Sequence, residues 1–202
     1  MTTESGGSLP GYSTQDRTLP ASRAAALALL LSGLLGTLAA AVLVVEKFSL
    51  LANPFYVPSC TVNATVNCGA VMSSSQAEVF GFPNPVIGLA AFPVVAAVGA
   101  AVLAGAKMRT WFWTALAGGS LLGWAFVHWL IFQSVFVIGA LCPYCMLVWA
   151  CVPVAAMAAI SVLAPTGRLP RSMGRSAVLI LIAWAGGVVV LVTGALTNTW
   201  GA

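Results

Sequence analysis

The sequence predicts an all-α, polytopic membrane protein with five transmembrane helices, and three observations predict it. Of its 202 residues, 60% are hydrophobic and only 6% are charged. A soluble domain of this size carries about a quarter of its residues as Asp, Glu, Lys or Arg, so lipid has to be the main solvent. Five apolar runs, at 24–45, 85–106, 111–137, 141–163 and 177–197, reach the roughly 20 residues that a helix needs to cross a hydrocarbon core of about 30 Å. None shows the alternation of short segments that marks a transmembrane β-barrel.

Residues 1–22 are rich in Gly, Ser, Thr and Pro without apolar periodicity, which predicts a disordered tail on the cytoplasmic side. The first run, 24–45, follows Arg17 and Arg23. It is longer than the apolar core of a signal peptide, about 7–15 residues, and reads as a retained span. Glu46 and Lys47 then look like interfacial anchors. The segment 46–84 is the one long loop. Its first half carries Pro54 and Pro58 and should be extended or turn-rich. The second half, CGAVMSSSQAEVFGF, predicts a short interfacial helix ended by Gly81 and Pro83, with Phe55, Phe80 and Phe82 near the headgroups.

The remaining runs supply the second to fifth spans, the third tilted or over-long. Trp111, Trp113 and Trp200 fall near helix ends, as an aromatic belt requires. Small residues (Gly33, Gly36, Gly118, Gly119, Gly123, Gly186 and Gly187) suit close helix contacts. With the N-terminus inside, seven of the eight basic residues are cytoplasmic and Lys47 alone is outside, which satisfies the positive-inside rule. The formal net charge of +4 is thus a matter of topology and anionic lipid, and gives no support to nucleic-acid binding. The chain is expected in the inner or plasma membrane as a multi-pass protein, with its C-terminus extracytoplasmic.

This orientation puts four of the five cysteines in or beside non-cytoplasmic segments, where disulfides persist. Cys142-Pro-Tyr-Cys145 opens the fourth helix. The first sulfur should lie at the exposed end and the second about 4.5 Å deeper. The unpaired N–H groups and dipole of a helix start favour thiolate there. C-x-x-C also reads as half a zinc site or as a static disulfide. Cys60 and Cys68, in a loop at the same membrane face, favour redox chemistry instead. Two sulfur pairs suggest a relay in which the loop pair meets a soluble partner and the helix pair meets an acceptor in the lipid. Thiol–disulfide exchange moves two electrons at a time, and a quinone is the obvious lipid-soluble acceptor. Cys151, deep in the same helix, reads as a small apolar filler. His128 and Gln133 are polar groups within a span, and both read as hydrogen-bonding residues between helices. His128 stays an accessory candidate for quinone or proton handling.

Cys60 and Cys68, Ser74 six positions on, Asn84 in NPVIG, and Cys142-x-x-Cys145 together resemble the vitamin K epoxide reductase family over about residues 24–163. The fifth helix resembles that of bacterial members, where it leads to a thioredoxin-like domain. Here that domain is expected as a separate protein of the disulfide-oxidase type outside the cytoplasm. The resemblance implies a four-helix bundle core plus a fifth transmembrane helix, spanning 23–202, with loop 46–84 over its outer end. It implies that Cys145 delivers electrons to a membrane quinone (menaquinone or ubiquinone) and that Cys142 is its disulfide partner. Cys68 would exchange with Cys142, and Cys60 would take the attack of the partner's thiol. Ser74 and Asn84 would hydrogen-bond the quinone, and no metal is expected. Some animal members have a ligand-contacting tyrosine where this chain has Trp149, a donor only, so Trp149 is a second accessory candidate. The implied activity is quinone-dependent thiol oxidation that supports disulfide formation in exported proteins. The alternatives are a quinone or quinone-epoxide reductase running the opposite way, or a cysteine-based metal carrier without enzymatic activity. A small transporter is disfavoured because the spans hold no Asp, Glu, Lys or Arg.

Overall fold

The computed structural model describes residues 18–164 and 171–199, with the side chains of 171–175, 177 and 195–199 left aside. Most of the expected tail, Trp200, Arg17 and Arg168 lie outside the described residues. The architecture is all-α. In chain order come β1 (Thr18–Leu19), α1 (Arg23–Ala52), α2 (Cys68–Met72), a 3₁₀ turn (Ser75–Glu78), α3 (Pro85–Leu103), β2 (Met108–Arg109), α4 (Thr110–Phe132), α5 (Pro143–Leu163) and α6 (Arg171–Thr199). A π-helical turn, Gln133–Ile138, continues α4. Among the described residues four helices, with α4 and its π turn counted together, are long and apolar enough to cross a membrane, and an apolar stretch in α6 covers Val178–Gly194.

The helices start and stop for local reasons. Ser22 caps α1, its side chain accepting from the Ala25 N–H at 3.1 Å. Pro85 and Pro143 sit in the first turns of α3 and α5, where a missing N–H leaves no partner unsatisfied. Gly139, at φ +69°, ends the π turn in the left-handed region, which glycine enters without steric cost. β1 and β2 pair antiparallel, Thr18 opposite Arg109. This ties the start of α1 to the α3–α4 turn at the end of the bundle remote from the cysteine loop.

α1 packs against α3 and α5, and α5 packs in turn against α4 and α6. The α1–α3 approach depends on glycine. A Cβ on Gly33 would run into the backbone of Ala96, and one on Gly99 into Leu30 N and Ala26 O. Gly118, Gly119, Gly186 and Gly187, expected at close contacts, face open space instead. Trp113 also departs from expectation. It is fully buried among Leu29, Val95, Ala117 and Ala159, so it belongs to the core, whereas Trp111 is exposed.

Two expectations for the loop are corrected. α1 continues two turns beyond the expected end at Val45, so the loop starts at Asn53 and Glu46 and Lys47 lie within a helix. The single interfacial helix is broken into α2 and the 3₁₀ turn. Ser73 closes α2, its N–H bonding Gly69 O, and Ser74 is extended.

Candidate active site

Three tethers place the loop on the bundle. Val66 and Leu141 form a parallel bridge, in which Asn67 N–H donates to Leu141 O at 3.0 Å and Leu141 N–H to Thr65 O at 2.8 Å. The residues next to the two tether points, Cys68 and Cys142, are thereby brought together. Glu46 holds the segment before Cys60, its carboxylate accepting from Tyr56 Oη at 2.8 Å and from the Ser59 hydroxyl and N–H. That carboxylate raises the Tyr56 phenol above its ordinary pKa by taking its hydrogen bond. Lys47 holds the segment after Cys68, with Nζ donating to Met72 O at 2.6 Å and pairing with Glu78 Oε1 at 2.9 Å. Both residues are buried. They are internal fasteners rather than interfacial anchors, because a buried charge is retained where it is paired and hydrogen-bonded.

Cys60 and Cys68 are joined as a disulfide, while Cys142, Cys145 and Cys151 carry free thiols. Cys68 Sγ lies 3.2 Å from Cys142 Sγ. Cys142 is the N-cap of α5. It is fully buried beneath the loop, not at an exposed helix mouth as the motif alone suggested. Cys145, one turn on, is half-buried and borders a cavity. The loop cysteines are joined in their disulfide and buried. The sulfurs of Cys60, Cys68 and Cys142 lie within 4.8 Å of one another. With two of them bonded to each other, Cys142 alone of the three can offer a thiolate in this state.

The cavity, about 470 Å³, lies between α1, α3, α4 and α5 under the loop, within the size range of small-molecule sites. Its walls are mostly aliphatic and aromatic. Ser74, Asn84, Cys145 and Trp149 all border it, so four of the residues named from sequence meet at one space. The Ser74 hydroxyl donates to Val71 O at 2.7 Å. Asn84 Nδ2 donates to Gln76 O at 2.7 Å, and Asn84 Oδ1 accepts from Val79 N–H at 3.2 Å.

His128 is elsewhere. Its Nδ1 bonds Trp124 O at 2.8 Å and its Nε2 accepts from Trp184 Nε1 at 2.7 Å, so it joins α4 to α6 outside the cavity. Cys151 is buried and does not border it. Sequence reasoning did not assign five further polar residues of the lining to the site: Lys47, Gln76, Ser120, Gln133 and Ser134. Gln133 opens the π turn and accepts from Gln76 Nε2 at 3.4 Å, so the side-chain bond expected between helices runs to the loop instead. The available signals were Gln133 as a lone amide near the end of an apolar run, and Lys47 as the lone basic residue on the cysteine side.

Residues 27–161 match the model of the vitamin K epoxide reductase family. No curated protein matches the chain.

Proposed function

The chain belongs to the vitamin K epoxide reductase family, a membrane thiol–quinone oxidoreductase family, and from that premise we propose that it works as a quinone-dependent thiol oxidase. A reduced thioredoxin-like protein outside the cytoplasm gives two electrons to the Cys60–Cys68 disulfide. The Cys68 thiolate attacks Cys142 of a Cys142–Cys145 disulfide and releases Cys145. Cys60 then closes on Cys68, leaving the loop pair oxidised and the helix pair as a dithiol. That dithiol reduces a quinone held in the cavity. Two thiols lose two electrons and two protons to form the Cys142–Cys145 bond, and the two quinone carbonyls become the hydroxyls of a quinol.

The observation that carries this reading is the 3.2 Å approach of Cys68 Sγ to Cys142 Sγ, with Cys145 bordering the cavity on the next turn. An oxidised loop pair above a reduced helix pair corresponds to the relay just before quinone reduction. A largely apolar cavity suits a quinone head, since apolar walls with a few polar groups both hold and orient such a ring. Oxidation is the favoured direction because an extracytoplasmic thiol site sits where disulfides are made. Which quinone is used depends on reduction potentials.

The test is quinol formation by the purified protein with a reduced thioredoxin-like substrate, followed optically. Cys145→Ala should abolish turnover while the helical content stays intact, and unchanged turnover would remove Cys145 from its role. In a Cys60→Ser/Cys145→Ser double variant, mild oxidation should link Cys68 to Cys142, seen as a crosslinked peptide by mass spectrometry. Absence of that link would end the relay. Stoichiometric zinc or copper on the fully reduced protein, with no quinol formed, would support the metal-carrier reading instead.

A further inference from the structure

We propose that Lys47 is a catalytic residue, donating a hydrogen bond to the quinone oxygen on which negative charge gathers during reduction. The inference rests on the thiol-driven quinone reduction proposed above and names a residue that the family resemblance did not nominate.

The argument is one of donors. Reducing a carbonyl loads charge onto its oxygen, and a preorganised donor in a water-poor site is what stabilises that charge. Ser74 directs its single hydroxyl hydrogen to Val71 O. Asn84 gives one of its two amide hydrogens to Gln76 O, leaving a single neutral N–H, and its oxygen is occupied by Val79 N–H. Both are engaged in shaping the turn they stand on. Lys47 borders the same cavity, and no other charged side chain among the described residues does so. An ammonium has three hydrogens. Two are directed to Met72 O and Glu78 Oε1, and one remains. Burial at 7% exposure limits competing water, and the two existing bonds fix Nζ in place.

The remaining hydrogen is therefore held at the cavity wall before a quinone arrives. Lys47 is not consumed. The electrons and both protons of the quinol come from the Cys142–Cys145 dithiol, and Lys47 lowers the energy of the oxyanion along the way. Glu78 is a positioning residue, half-exposed and acting through Lys47.

The experiment uses the full chain in lipid nanodiscs, reduced beforehand with a small dithiol, and reads single-turnover quinol formation from a soluble short-chain benzoquinone. Lys47→Met should slow this step by about 100-fold. Reduction of the Cys60–Cys68 disulfide by the dithiol, read by thiol labelling without quinone, should keep its wild-type rate. Lys47→Arg, which restores a cationic donor, should recover at least tenfold of the loss. Glu78→Gln keeps Nζ on Met72 O and should stay within about fivefold of wild type. Wild-type quinol formation by folded Lys47→Met would overturn the proposal. So would equal losses in Lys47→Met and Glu78→Gln, which would make Lys47 a fastener only. Should Lys47→Met fail to fold, Lys47→Arg and Glu78→Gln decide between the same two outcomes. If wild-type protein reduces no quinone at all, the function proposed above fails, which is a separate result.

Discussion

Asn84 accepts from Val79 N–H and donates to Gln76 O, so its carboxamide is a strut of the 76–84 turn as well as a neighbour of the cavity. Each such bond contributes about 0.5–1.5 kcal/mol net, and more is lost when a buried partner is stranded. Asn84→Ala should therefore lower the unfolding temperature in detergent and raise the KM for quinone, whereas a pure ligand contact would leave stability unchanged. His128 has the opposite profile. Its Nδ1 is bonded within α4 to Trp124 O and its Nε2 accepts from Trp184 of α6, and His128→Leu should keep quinol formation within about twofold while weakening the α4–α6 contact by about 0.5–1.5 kcal/mol. The cysteine pairs stood out by their own spacing, and Ser74 and Asn84 were nominated by the family resemblance and border the cavity. Lys47 was not readable, because its role depends on Met72 O and Glu78 lying within reach. Those positions are 25 and 31 residues along the chain, and no local pattern records their proximity.

At the scale of elements, α1 is the scaffold on which the loop is fastened. Its continuation to Ala52 carries Glu46 and Lys47 above the apolar run. Glu46 then reaches the chain before Cys60 and Lys47 the chain after Cys68. The apolar length of a span is legible because the bilayer sets it. A helix that outruns its apolar run is less so, because the extra turns are stabilised by tertiary partners. The glycines of the helices divide in the same way. Gly33 and Gly99 admit backbone contact between α1 and α3, while Gly118 and Gly119 meet nothing, and composition alone does not distinguish them. Gly99→Val should cost about 1–3 kcal/mol by forcing the helices apart, read as a lower unfolding temperature. Gly118→Val on the open face should cost far less, and equal losses would refute the contact reading. The Val66–Leu141 bridge is likewise invisible in sequence, since a single pair of residues carries no periodicity.

At the scale of the molecule, the two ends of the bundle are chemically distinct. Arg23, Lys107 and Arg109 gather at the end where β1 meets β2, and the sulfur relay lies at the other. Under the positive-inside rule this asymmetry gives the direction we propose across the bilayer, which would put the relay outward, in the compartment that sustains disulfides. The consequence is testable in cells. In chains whose native cysteines are replaced by serine, Asn63→Cys in the loop should react with a membrane-impermeant maleimide in intact spheroplasts. Lys107→Cys, in the turn after α3, should react only after permeabilisation, because one span separates the two positions. Labelling of both from outside would mean that α3 does not cross the membrane. Reversed labelling would turn the relay toward the cytoplasm, where thiols are kept reduced, and the favoured direction of electron flow would reverse with it. Under the proposed relay the residue chemistry and the orientation of the whole chain are therefore one question, since the same four cysteines would act as a thiol oxidase on one side of the bilayer and as a disulfide reductase on the other.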